Sequence, residues 1–166
     1  MKTITIVLPF YNEEKNLSIL LDELKVALLD LPESISVKVV FVNDASTDEG
    51  AIFIKEKIKN LEKFDLINLK KRSGQTGAFK ASFNKCDTDY IIRMDSDLQD
   101  SPSDLNLFFT KILKEEPDLI MGIRVNRQHS KIITFFGTIY DLIIKYLFKS
   151  PLYTNSASFV AFKTKY

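Results

Sequence analysis

Cysteine is nearly absent: Cys86 is the only one in 166 residues, which excludes an internal disulfide and any cysteine-built zinc site. With no clear basic activator, its thiol reads as buried or inert. Histidine is equally scarce. His129, between Gln128 and Ser130, reads as a surface-loop residue and takes no role. Net charge is also missing, since 23 Lys and Arg against 22 Asp and Glu leave +1, and the basic residues are spread along the chain. Nucleic acid is therefore not expected as a partner. No apolar run reaches the ~20 residues that a membrane-spanning helix needs. The most apolar stretch, 130–149, is broken by Lys131, Asp141, Lys145 and Lys149. The N-terminus enters a strand pattern within three residues and has no small-residue cleavage site behind an apolar region, so the expected location is cytoplasmic. Repeats and low-complexity segments are absent too, and the length suits one domain with a substantial core.

What is present is an alternation of short apolar runs with helical periodicity. Ile4–Leu8, Val37–Val42, Phe64–Leu69, Tyr90–Met94 and Asp118–Gly122 read as strands, the first of them stopped by Pro9. Between them, helices are expected over Asn16–Leu29, Asp48–Leu61, Thr76–Asn84 and Ser103–Glu115. Pro102 and Ser103 suit the first turn of the last of these. This order predicts an α/β fold, a mostly parallel sheet with helices on both faces.

Ile91-Ile92-Arg93-Met94-Asp95-Ser96-Asp97 carries the sharpest chemical signal, because an apolar strand ends in two carboxylates one residue apart. The carboxyl edge of such a sheet is where ligands bind. Hard cations such as Mg2+ or Mn2+ accept one or two carboxylates and let substrate phosphates complete the shell. Two readings of Asp95 and Asp97 stand side by side: metal ligands, or two solvated turn aspartates.

Four blocks in order favour the first. Leu8-Pro9-Phe10-Tyr11-Asn12-Glu13-Glu14, Val42-Asn43-Asp44-Ala45-Ser46-Thr47-Asp48, Arg72-Ser73-Gly74-Gln75-Thr76-Gly77-Ala78 and Met94-Asp95-Ser96-Asp97-Leu98-Gln99-Asp100-Ser101-Pro102 together resemble the nucleotide-sugar-binding half of family 2 glycosyltransferases of the GT-A (Rossmann-like) fold. The resemblance implies a nucleoside pocket from Pro9, Tyr11, Glu13 and Asp44, with backbone contacts from Val42. Asp95 and Asp97 would face the metal and diphosphate, with Ser96 and Gln99 beside the substrate. Asn43 departs from the pattern, which usually has a second aspartate there. Gly122-Ile123-Arg124 resembles a Gly-x-Arg that brings a guanidinium to the donor phosphates, a good bidentate match. Asp97 and Arg124 are the candidate catalytic residues. A nucleotidyltransferase of related fold is disfavoured, because the N-terminal block has no glycine-rich phosphate loop.

The Leu98-Gln99 continuation narrows the resemblance to the branch that glycosylates polyprenyl or dolichyl phosphate. Residues 1–125 are then the donor-binding core, and 126–166 the acceptor-side helix and loop of the same domain. In that loop Asn155-Ser156-Ala157-Ser158-Phe159-Val160 stands where relatives carry Asp-x-Gly-x-Phe-Arg. The stretch 130–149 has two readings, a core-packing helix or an interfacial helix in peripheral contact with the inner membrane face. The implied reaction is inverting transfer from a UDP- or GDP-linked sugar. A phosphate acceptor is already anionic and needs no general base, whereas a sugar hydroxyl does. Lys70-Lys71-Arg72 reads either as a solvated turn or as electrostatic support for the diphosphate. Transfer to a glycan hydroxyl and a binding module or fragment without turnover are the rival readings.

Overall fold

In the computed structural model, which describes residues 1–123, 146 and 156–164, the central strand is β1, Lys2–Phe10. Its continuous apolar run is divided by the period of the strand. Ile4, Ile6, Leu8 and Phe10 join one buried layer and Val7 the other, as expected of a strand covered on both faces. The remaining strands are β2 (Ile35–Asn43), β3 (Phe64–Asn68), β4 (Tyr90–Arg93), β5 (Leu119–Ile123) and β6 (Ser156–Lys163). The described strands form one six-stranded sheet in the order β3-β2-β1-β4-β6-β5. β1 is parallel to β2 and β4, β2 is parallel to β3, and β6 is antiparallel to both of its neighbours.

On the larger layer lie α1 (Glu14–Ala27), α2 (Gly50–Ile58) and α4 (Leu105–Glu115). Leu17, Leu20, Leu21 and Leu24 of α1, and Leu105, Phe108, Phe109 and Ile112 of α4, repeat the i, i+3, i+4, i+7 spacing that gathers one stripe toward the sheet. Each such burial stabilises by about 1.5–3 kcal/mol before entropy is counted. The opposite layer is thinner. It is built by α3 (Gly74–Phe83), whose Ala78 packs with Val7, Val40, Val42 and Ile91.

Several boundaries differ from the sequence reading, each for a physical reason. β1 continues through Pro9, which pairs with Val42. Val7 and Pro9 turn their backbone groups toward β4, but β4 ends at Arg93, opposite Val7, so the amide that proline lacks has no partner to lose. The helix expected from Ser103 opens instead as a 3-10 turn, Pro102–Asp104, without a side-chain cap. The Ser103 hydroxyl is engaged with that of Ser101 at 2.8 Å. α4 stops at Glu116, which takes a left-handed conformation (φ 46°) usually left to glycine, and its carboxylate bonds Lys2 at 2.7 Å. The largest difference is β6. The segment expected as an acceptor loop from Asn155 is, from Ser156 onward, a strand inserted between β4 and β5, with Phe159 stacked on Phe108 at 4.3 Å.

Candidate functional site

The sheet grows from β1 to β2 and β3 on one side and to β4 on the other, so a crevice opens where the two directions part, beyond the carboxyl ends of β1 and β4. A cleft of ≈ 250 Å³ lies there, lined by Pro9, Phe10, Tyr11, Glu13, Asp44, Arg72, Gly74, Gln75, Asp95, Ser96 and Asp97. Four loops contribute, one after each of β1 to β4.

Two of the loops lock each other. Asn12 accepts the Thr47 amide at 2.8 Å, and its own amide donates to the Ser46 hydroxyl at 3.1 Å. Asp48 accepts the amides of Glu14 (2.9 Å) and Gly50 (3.2 Å), so the first turns of α1 and α2 are both served by one carboxylate from the β2 loop. Asn12, Ala45 and Leu98 all have positive φ (56°, 58° and 61°), which places a strained residue in the loop after each of β1, β2 and β4. Such conformations cost of order 1–3 kcal/mol and persist where surrounding contacts enforce them.

Asp44 is buried, 4% exposed, and each carboxylate oxygen takes a backbone amide of the β3–α3 loop, Ser73 at 2.7 Å and Gly74 at 2.8 Å. Gly74 has φ +72°, which brings the two consecutive amides onto one carboxylate. Gly77 is required one turn on, because a Cβ there would lie 2.4 Å from Cβ of Ser73. Beside this clamp the Asn43 amide donates to Asn68 Oδ1 at 2.9 Å and accepts the Ser46 amide at 2.8 Å. An asparagine at position 43 thus ties the ends of β2 and β3 together with a donor that aspartate lacks.

Arg72 lays its guanidinium over the Tyr11 ring, 4.0 Å from the centroid. Across the cleft, Asp95 faces Arg93 (3.6 Å) and the Gln75 amide (3.4 Å), and Arg93 also donates to Gln75 Oε1 at 3.1 Å. Asp97 accepts the Gln99 amide at 3.1 Å, closing a short turn. The Ser96 hydroxyl is buried and donates to the Pro9 carbonyl at 2.9 Å, which fastens the β4 loop to β1.

A family model for glycosyl transferase family 2 matches residues 5–163, nearly the whole chain. The chain belongs to that family. Among its relatives is the undecaprenyl-phosphate 4-deoxy-4-formamido-L-arabinose transferase of Photorhabdus laumondii, 31% identical over 131 residues, 78% of this chain and 39% of that protein. The family 2 chain thus spans about two fifths of the length of that curated relative. Staphylococcus aureus TarS in complex with UDP-GlcNAc is similar in structure, with TM-score 0.60, 26% identity, and coverage of 79% of this chain and 37% of that one. A Pyrobaculum calidifontis mannosyltransferase in complex with GDP-Man and Mn2+ shares the fold at TM-score 0.67 and 19% identity, over 96% of this chain and 44% of that one. The expected GT-A fold is the one observed.

Of the residues singled out in the sequence, the fold brings Pro9, Tyr11, Glu13, Asp44, Asp95, Ser96 and Asp97 to one cleft. Val42 is fully buried beneath α3, and Gln99 is exposed outside the cleft lining. Arg124, Asn155 and the stretch 130–149 lie outside the described residues, apart from an exposed Tyr146. β5 runs in the same sense as β4, so its last residue, Ile123, ends at the edge of the sheet that bears the cleft. Three residues in or beside the cleft were missed or undervalued. Gln75 sits inside a motif block but carried no assignment, Arg72 was read only within the basic run Lys70-Lys71-Arg72, and Arg93 was counted only as part of a strand. Cys86 is half-buried, burial pushes its thiol up, and it donates to the Ser82 carbonyl at 3.2 Å, in keeping with an inert role.

Whether this cleft suits a divalent cation is tested by its donors. Among the described residues no group of three or more His, Cys, Asp or Glu gathers as a cage, while Asp95 and Asp97 present two carboxylates to one space. Two hard oxygen donors are what Mg2+ or Mn2+ takes when phosphates supply the rest. No helix of the described residues is long and apolar enough to cross a membrane.

Proposed function

We propose that this family 2 glycosyltransferase transfers a sugar, with inversion, from a UDP- or GDP-linked donor to polyprenyl phosphate, with Mg2+ or Mn2+ held by Asp95 and Asp97. One observation carries the reading. The cleft at the β1/β4 parting is walled by four carboxylates, Glu13, Asp44, Asp95 and Asp97, against one guanidinium, Arg72. A nucleoside diphosphate is itself anionic, so this wall accepts it only with a cation between them, and the paired aspartates are the place for one. When bound, the cation would neutralise charge growing on the departing diphosphate.

The chain's own residues divide the remaining work. Tyr11, with Arg72 on its ring, offers an aromatic face for the base. Glu13 and the clamped Asp44 loop shape the nucleoside site together with the backbones of Pro9 and Val42. Ser96 fixes the β4 loop from beneath, and Gln99 flanks it. Arg124, next in sequence after β5, is assigned to the diphosphate, and Asp97 is the base candidate for an alcohol acceptor. The polyprenyl phosphate acceptor rests on the Leu98-Gln99 continuation and on the named acceptor of the Photorhabdus relative. The peripheral membrane contact assigned to 130–149 would bring such a lipid to the cleft.

Calorimetric titration with UDP and GDP, with and without Mn2+, tests the donor site. Metal-dependent binding that disappears in the Asp95→Ala, Asp97→Ala double variant is expected. Failure of the folded wild type to bind either nucleotide would overturn the reading. Competition between polyprenyl phosphate and a sugar alcohol for donor turnover then separates the lipid acceptor from a glycan hydroxyl. Donor binding without turnover of either would favour the binding module.

A further inference from the structure

Among the described residues, Arg93 is a cationic side chain that the end of β4 holds against the first carboxylate of the Asp-x-Asp pair. It follows Ile91 by two residues, so it shares the face covered by α3 and meets Gln75 in the first turn of that helix. Its guanidinium is mostly covered, with a side-chain exposure of 24%, and sits 3.6 Å from Asp95. Its Nε is buried without a hydrogen-bond partner among the described residues, so the group is held short of its best geometry. Gln75 bridges the pair, accepting from Arg93 at 3.1 Å and donating toward Asp95 at 3.4 Å. Arg93 is not among the residues that line the cleft, whereas Asp95 and Gln75 are, so it meets the carboxylate from outside that lining.

We propose that Arg93, braced by Gln75, is a resident counter-cation that holds Asp95 in the metal-free protein and keeps its affinity for a free divalent cation low, so that metal enters with the nucleotide rather than before it. The inference rests on the reading of Asp95 and Asp97 as the metal ligands. Physically, a fixed positive charge 3.6 Å from one ligand opposes an incoming dication and competes for the same oxygen. The diphosphate reverses the balance by adding oxygen donors and negative charge of its own. Arg93 is thus a positioning residue, not a catalytic one.

The test is direct titration of the full chain with Mn2+, following the free-ion signal by electron paramagnetic resonance, without nucleotide and with whichever of UDP or GDP binds. Without nucleotide, Arg93→Met is expected to bind Mn2+ about tenfold more tightly than wild type. Gln75→Leu, which removes the brace on an exposed helix turn without adding charge or an oxygen donor to the cleft, is expected to shift affinity in the same direction by a smaller factor. It also supplies the test if Arg93→Met does not fold. A merely structural Arg93 would give the opposite sign, since loss of its support would loosen Asp95 and weaken the metal. Unchanged or weaker Mn2+ binding in the folded variants overturns the proposal. If wild type with nucleotide shows no Mn2+ binding that depends on Asp95, the underlying reading of the metal site fails instead, and the inference fails with it.

Discussion

Asp44 offers the sharpest test of how the cleft is built, because its two oxygens hold two backbone amides and the residue is 4% exposed. A hydrogen bond to an ionised group contributes about 1.5–3 kcal/mol, and a buried donor left unpaired costs about 1–3 kcal/mol. Asp44→Asn keeps one acceptor and turns an amide toward the second N–H. Ser73 and Gly74 are exposed residues whose amides water can partly reach. The expected loss for Asn is therefore about 2 kcal/mol, and for Asp44→Ala, which removes both acceptors, about 3 kcal/mol. Urea denaturation should show a lower midpoint at unchanged slope. Amide exchange at Ser73 and Gly74 should accelerate well before exchange in β1, since the β3–α3 loop is released locally. An Asn variant within about 0.5 kcal/mol of wild type, or an Ala variant no worse than Asn, would refute the clamp as the source of that stability.

Asn43→Asp should stay within about 1 kcal/mol of wild type, because Asn68 can turn its amide to donate to the new carboxylate, whereas Asn43→Leu should cost about 2 kcal/mol by stranding both partners; chemical denaturation of the two variants checks the contrast. Tyr90→Phe should be neutral or stabilising, since the Tyr90 hydroxyl is buried without a partner among the described residues; a melting temperature that falls by several degrees would contradict it. The Lys2–Glu116 pair should give a two-sided pH dependence. The hydrogen bond from Lys2 holds Glu116 below its ordinary value of 4.5, so this contribution is present above that value and is lost as pH falls through the folded pKa. The same bond raises Lys2 above 10.5, so its contribution is present below that value and is lost as pH rises through the folded pKa. The melting difference between wild type and Glu116→Gln should therefore be widest near neutrality and close at both extremes, and a difference independent of pH would count against the pair. Ala45→Gly should stabilise by about 0.5–1 kcal/mol by relieving a positive φ of 58°, as read from the unfolding midpoint.

The parallel half of the fold was legible because each strand is a contiguous apolar run closed by polar residues, and such runs specify strands buried on both faces. Likewise, the seven cleft residues found in advance lie in or just beyond the carboxyl ends of strands, where an α/β sheet binds its ligands. What escaped depends on partners distant in sequence. Pro9 reads as a stop until it is seen that β4 ends beside it. Arg93 reads as an interruption until α3 places Gln75 against it. β6 escaped because Ser156, Ala157 and Ser158 have little strand propensity of their own, and its pairing with β4 and β5 is what makes the segment extended. Asn43 looked like a lost charge, and only the contact with Asn68 shows the gained donor.

The insertion of β6 has a consequence for how the chain acquires its shape during synthesis. β5 is joined to the sheet through β6 alone, and β6 arrives more than thirty residues later. Until the ribosome has released residues 156–163, β4 presents a bare edge at Tyr90–Arg93 and Leu119–Ile123 has no strand to dock on. The cleft walls formed after β1 to β4 can consolidate first, because those strands are parallel neighbours linked by short helices. The remainder waits on a long-range closure of the kind that slows folding and leaves an apolar edge open to other chains. A nascent chain arrested before position 156 should therefore already protect β1 and β2 from exchange while leaving Leu119–Ile123 open to protease, so that the part of the molecule assigned to the donor matures before the part that completes the sheet.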